Sequence, residues 1–319
     1  MSGRHLVFAG AAVSLAIGFA VAPSTGQAAL LVSNQADPAP VAVNPPGAAS
    51  PTADSTVESP AGVPAGRDVE AAGVSQDIAC EGTGGPTVVL LGGMGAAADD
   101  IWPDVMPATA RKSRVCAVDR AGVGDSPARG KESNGPTENA QEVLAGLQAA
   151  GEKGPYLLVG WSYGGLVALT AAQQAQSAAD PSQRLAGVVL VDGSLPDEYR
   201  TIDPTPWVEG GSDLDMASAE PVIAQLDLGR LPLVVLEAGQ ALDDDASQAY
   251  KDAGMARLAK LSENSTLGVV PDSPHNIADY APATVVAAIN TAVDSARSGD
   301  SPIGDCPAQL AAADVECQQ

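Results

Sequence analysis

Four stretches of this chain are apolar at every position rather than at every second one: Val88-Val-Leu-Leu91, Tyr156-Leu-Leu-Val159, Val188-Val-Leu-Val191 and Leu233-Val-Val-Leu236. Strands with one wet face alternate apolar and polar residues. Short continuous runs mark strands covered on both faces, as in a parallel sheet between two helical layers. The pattern predicts strands over 76–80, 87–91, 114–119, 156–160, 188–192, 233–236 and 267–270. Between them, helical periodicity predicts helices over 99–110, 137–150, 163–177 and 283–296. Thr137 is placed to cap the second helix and Gly151 to stop it. Alternation of strand and helix specifies a doubly wound, mostly parallel α/β sandwich over residues 74–300.

Ahead of that body the pattern lapses. Over 29–73, Pro, Ala, Ser, Thr and Val dominate, as in Asn44-Pro-Pro-Gly47. Without large apolar side chains to offset its ordering entropy, this segment reads as a disordered or polyproline-like spacer. Residues 1–28 read as an export signal: Arg4 and His5, an apolar run from Leu6 to Ala22, then small residues at Gly26 and Ala28. Cleavage is expected after Ala28, with Ala22 or Ala29 as alternatives. The competing reading is a retained anchor, since the apolar run is close to the lower limit for spanning a bilayer. Residues 301–319 follow the last predicted helix as a tail.

Composition narrows the partners. The 319 residues are 45% hydrophobic but only 3% aromatic, so the core must be built from Ala, Val and Leu. A net charge of −23 leaves no surplus of Lys or Arg for phosphates and argues against nucleic acid. It also disfavours anionic substrates and acidic membrane surfaces. The four cysteines, Cys80, Cys116, Cys306 and Cys317, form an even set without a C-x-x-C pair. Disulfides in an oxidising compartment are expected rather than zinc or redox chemistry, with three connectivities open.

Candidate chemistry begins at Gly160-Trp-Ser-Tyr-Gly-Gly165, which follows one apolar run directly and opens an Ala-rich helix. G-x-S-x-G between a buried strand and a helix is the layout of a nucleophile elbow centred on Ser162. A serine hydroxyl is a poor nucleophile at neutral pH and needs a base. Beyond the leader the chain holds a single histidine, His275, in Val269-Val-Pro-Asp-Ser-Pro-His275 after the last predicted strand. The N–H of Tyr163, just after the serine, is one expected oxyanion donor. A second is the N–H of Met94 in Leu90-Leu-Gly-Gly-Met-Gly95. That loop continues as Ala96-Ala-Ala-Asp99, lacking the Lys-Ser or Lys-Thr of a phosphate cradle. For the acid that orients the histidine, the residues leave Asp192 and the run Asp243, Asp244, Asp245 open.

Residues 76–296 resemble the α/β-hydrolase fold superfamily, in particular secreted or membrane-associated esterase/lipase-like members from actinobacteria. The resemblance rests on Leu90-Leu-Gly-Gly-Met-Gly95, Asp119-Arg-Ala-Gly-Val-Gly-Asp-Ser126 and Gly160-Trp-Ser-Tyr-Gly-Gly165. Two positions depart from it: Trp161 and Gly92 stand where most members carry histidine. The resemblance implies a Cys80–Cys116 bridge between neighbouring strands, with Cys306–Cys317 closing a loop in the tail. It favours Asp192 over Asp243 as the acid and makes residues 195–229 a short cap insertion.

The expected protein is an exported serine hydrolase, carboxylesterase- or lipase-like, acting on an uncharged small-molecule ester through Ser162, His275 and Asp192. It is expected to use neither metal nor organic cofactor and to have no membrane insertion once the signal is removed. Serine rather than aspartate at the elbow disfavours a haloalkane dehalogenase. Amide or peptide hydrolysis would use the same groups, and the competing class is a non-catalytic binding protein on this fold.

Overall fold

A computed structural model of the chain describes residues 62–130, 134–180, 183–201, 205–299 and 302–318. The expected leader and most of the expected spacer lie outside the described residues. The predicted strands assemble into one sheet. Its parallel centre consists of β3 (Thr87–Leu91), β4 (Val115–Asp119), β5 (Tyr156–Trp161), β6 (Leu185–Val191), β9 (Leu233–Ala238) and β10 (Ser265–Val270). Antiparallel strands flank it: β1 (Arg67–Ala71) and β2 (Val74–Glu81) beside β4, and β11 (Glu316–Gln318) beside β10. The full order is β1-β2-β4-β3-β5-β6-β9-β10-β11. A hairpin of β7 (Val208–Glu209) and β8 (Ser212–Asp213) stands apart from it, within the predicted cap.

The continuous apolar runs are buried along their whole length in β3, β6 and β9. Successive residues feed opposite layers, as the period of two in a strand requires. Val89, Leu91, Leu158, Val188, Leu190 and Val235 join one cluster, with helices α3 (Pro136–Ala149) and α4 (Tyr163–Gln176) and the cap. Val88, Leu90, Val159, Val189, Val191 and Leu236 join the other, with α1 (Ala98–Ile101), α2 (Val105–Ala110) and α9 (Pro282–Ser298). The cap contributes α5 (Glu198–Thr201) and α6 (Glu220–Ile223), and its Trp207, Met216, Ile223 and Leu226 are buried in the α3/α4 layer. It is therefore welded to the body.

Four features differ from the sequence expectation. The helix expected over 99–110 is two pieces, α1 and α2, because Pro103 has no N–H and disfavours a helical residue before it; Trp102 is fully buried at the break. The ordered body starts inside the expected spacer, since β1 forms a hairpin with β2 around Ala72-Gly73 and inserts Val69. The expected tail supplies α10 (Ala308–Ala311) and β11, paired with β10 through Gly268 and Cys317. Helix α7 (Asp245–Ala259) was not expected at all. Its buried stripe, Lys251, Gly254, Met255 and Leu258, contains only two large apolar residues. A last short helix, α8 (Ile277–Tyr280), precedes α9.

Both disulfides join the expected partners. Cys80 and Cys116 face each other across the β2–β4 ladder, and Cys306–Cys317 ties the segment before α10 to β11. Among the described residues no helix is long and apolar enough to cross a membrane.

Candidate active site

Ser162 sits between β5 and α4 with φ +52° and ψ −127°, a conformation that L-residues rarely adopt. The surroundings hold it there. Its N–H donates to Val191 O (3.3 Å), and its carbonyl accepts from Ser194 N (3.0 Å). Both of its peptide groups are thus fastened to the turn after β6. Gly164 lies so close to β3 that a Cβ there would collide with the Leu91 carbonyl oxygen. Tyr163 is the first residue of α4, so its N–H receives no partner from the helix ladder.

The same β6 turn carries Asp192, also at positive φ (+43°) and buried. Asp192 Oδ1 accepts the Ala238 N–H at 2.9 Å and lies 3.2 Å from Lys251 Nζ; Oδ2 lies 2.6 Å from His275 Nδ1. Burial alone would push this carboxyl up. The His275 hydrogen bond, then the charge of Lys251, outweigh it and hold Asp192 below its ordinary value. An ionised carboxylate can only accept, so Nδ1 carries the shared hydrogen, and in the neutral ring that tautomer leaves the lone pair on Nε2. His275 itself follows β10, and its side chain is 54% exposed. Trp161, the residue before Ser162, donates its indole N–H to His275 O at 2.8 Å, with the two rings 5.2 Å apart.

The loop after β3 is clamped by a buried ion pair that sequence reasoning missed. Arg120 and Glu209 have side chains 1% and 0% exposed. Arg120 donates to Gly92 O (2.8 Å) and Gly93 O (2.7 Å), and to both oxygens of Glu209 (2.8 and 2.5 Å). Glu209, on the cap hairpin, accepts the Gly95 N–H at 2.9 Å. A trans peptide points its C=O and N–H in opposite directions. Holding Gly93 O on Arg120 therefore turns the Met94 N–H the other way. The Arg120 guanidinium also lies over the Tyr163 ring, 5.1 Å from its centroid, and the Tyr163 hydroxyl accepts from Asn139. The only signal in the sequence was Arg120's place in the Asp119–Ser126 motif; Glu209 carried none.

The structure thus brings Asp192 and His275 into direct contact and ties Ser162 to both through backbone and Trp161. It leaves the rival acids elsewhere in role: Asp244 caps α7 by accepting from Ala246 N and Ser247 N, and Asp243 is exposed. Beside His275 opens a cavity of about 270 Å³, lined by Asp192, Leu195, Glu198, Lys251, Met255 and others. Burial raises the Glu198 carboxyl, and burial raises that of Glu237, behind Lys251, to about 7.

A family model described as the alpha/beta hydrolase fold matches residues 86–219. Protein YqjL of Bacillus subtilis (strain 168) is 26% identical over 208 residues, 62% of this chain and 79% of its own length. Pimeloyl-(acyl-carrier protein) methyl ester esterase of Aeromonas hydrophila is 36% identical over 110 residues, 34% of this chain and 39% of the esterase. Among solved structures, a thermophilic esterase from Thermogutta terrifontis aligns with a TM-score of 0.51 at 18% identity, covering 74% of this chain and 99% of its own. The chain has the α/β-hydrolase fold. Within this α/β-hydrolase fold the two departures, Gly92 and Trp161, have local causes. A Cβ at Gly92 would stand 2.5 Å from Ala96 O, so a histidine there requires the loop to move. The Trp161 ring packs against Gly93 and reaches His275.

Two predictions follow from the buried charges. Glu209→Ala strands Arg120 without its counter-ion and should cost about 3–5 kcal/mol of stability in urea unfolding; a loss below about 1 kcal/mol would contradict the clamp. For Glu237, the folded value near 7 exceeds its unfolded value near 4.5, so the native state holds the proton more tightly. Its contribution must make stability fall as pH rises through that window. Stability of wild type relative to Glu237→Gln, measured across it, should decline with pH; a flat difference would refute the assignment.

Proposed function

We propose that this chain is an exported serine hydrolase that cleaves carboxylic esters through an acyl-enzyme. The observation that carries the reading is the 2.6 Å contact between Asp192 Oδ2 and His275 Nδ1, on a turn fastened to both peptide groups of Ser162. Ser162 Oγ attacks the ester carbonyl carbon while His275 Nε2 takes its proton. Asp192 stabilises the imidazolium that forms, without itself being protonated. The carbonyl oxygen becomes an oxyanion received by the N–H groups of Met94 and Tyr163, the latter at the positive end of α4. Collapse expels the alcohol, which takes the proton from His275. Water then repeats the sequence on the acyl-serine. The mechanism calls on neither metal nor organic cofactor.

Substrate charge is constrained by the surroundings. Asp192 and Glu198 line the cavity, and the chain carries a net charge of −23, so an uncharged ester is the preferred partner rather than an anionic one or nucleic acid. Export is supported by the leader pattern at 1–28 and by two disulfides, which suit an oxidising compartment. The esterases from Aeromonas hydrophila and Thermogutta terrifontis support the ester class.

A fluorophosphonate probe should label the folded wild-type chain and not Ser162→Ala. Absence of labelling in a well-folded sample would favour the binding-protein reading. Turnover of short p-nitrophenyl esters should fall by about 10³–10⁴ in Asp192→Asn, as expected when the orienting acid is lost, and stay near wild type in Asp243→Asn. The reverse ranking would move the acid to Asp243.

A further inference from the structure

The Asp192–His275 pair has a third member that its fold position does not require. Lys251 projects from α7 into the protein with its side chain 10% exposed. Among the described residues it meets two acceptors: the Ala238 carbonyl at 3.1 Å and Asp192 Oδ1 at 3.2 Å. Ala238 is also the residue whose N–H binds Oδ1. One residue at the end of β9 and one lysine therefore fix the carboxylate oxygen that His275 does not use. Burying an amine to this depth is costly unless it is paired. Here it is paired with the carboxylate that is hydrogen-bonded to the candidate base.

We propose that Lys251 is a positioning residue: it holds Asp192 as a carboxylate, fixes the oxygen aimed at His275, and restrains the basicity of the imidazole. The reasoning is electrostatic and rests on the proposed function for its catalytic consequence. A lone buried aspartate would stabilise protonated His275 with its full charge. A cation on the opposite oxygen cancels part of that field, so His275 gives up its proton at lower pH and is free as a base over a wider range. Other titratable groups act on the same cluster. Glu198 reaches His275 and Asp192 from α5, Glu237 faces Lys251 from β9, and Asp252 faces Glu237 from α7. Glu237 is the one whose charge would change along with Lys251, so the comparison is made in a Glu237→Gln background. Sequence reasoning gave Lys251 no role, because the helix that buries it was not expected.

The test measures Lys251→Met in the Glu237→Gln background in two ways on the full chain. The first follows the His275 ring signals by proton NMR against pH, with His5 assigned through His5→Gln. The second is the pH profile of kcat/KM for a short p-nitrophenyl ester. Removing the cation should move the His275 titration, and with it the acid limb of kcat/KM, to higher pH by on the order of one unit. At a pH above both limbs, kcat should fall more than KM changes. Should Lys251→Met not fold, Lys251→Gln gives the same reading with a neutral polar side chain. A folded variant whose His275 titration stays within about 0.2 unit of its parent overturns the proposal. The NMR arm keeps the two readings apart: it can establish or refute the Lys251 effect even if no ester is turned over, whereas a failure of turnover alone counts against the hydrolase.

Discussion

The site depends on how closely three chain segments meet at the carboxyl ends of β3, β5 and β6. The turn from β5 to α4 is so tight that Ser162 is forced to positive φ, and Gly164 lies against the Leu91 carbonyl with no space for a side chain. Ser162 spends both of its peptide groups on the β6 turn, through Val191 and Ser194. Strain of this kind, of order 1–3 kcal/mol per residue, survives only where neighbours over-determine the backbone. Asp192 belongs to that same turn, so Ser162 and Asp192 are placed by one set of main-chain hydrogen bonds rather than by separate loops. His275 then needs only to be brought up from β10, and the Trp161 indole holds its carbonyl there.

The opposite wall is governed by a different kind of constraint. Arg120 is buried with Glu209 of the cap hairpin and two adjacent carbonyls of the loop after β3 as its partners. A buried ion pair is weak evidence for net stability, but removing either partner strands the other charge in the interior. Here the arrangement orients the peptide bearing the Met94 N–H and links it to the cap hairpin through Glu209. Lys251 repeats the logic on the acid side. Two buried cations, Arg120 and Lys251, thus lie on the two flanks of the candidate site.

Much of the fold was legible because its signals were local. Runs such as Val188-Val-Leu-Val191 can be stable only when covered on both sides, and that observation led to the parallel sheet and its layers. The elbow was legible for the same reason: its glycines, serine and flanking elements lie within one short segment. What escaped depends on partners distant in sequence. Strand β11 is a short edge strand whose pairing is supplied by β10, and it is further pinned by Cys317. Helix α7 buries a stripe containing Lys251 and Gly254, which removes the apolar periodicity that would have announced it. Glu209 looked like any acidic residue in a polar cap. Residue types alone left Asp192 and Asp243 open, since both follow strands that end at the same edge of the sheet. The resemblance favoured Asp192, and in the structure Asp192 is the one that contacts His275.

The central claim is that Ser162 becomes transiently acylated with His275 as its base. Mixing the chain with p-nitrophenyl acetate, quenching in acid within the first turnovers and mapping the added acetyl group by peptide mass spectrometry tests it directly. The account predicts acetylation confined to the peptide that contains Ser162, absent from Ser162→Ala and strongly slowed in His275→Ala. Hydrolysis that proceeds in Ser162→Ala, or an acetyl group found on Lys251 instead, would contradict it.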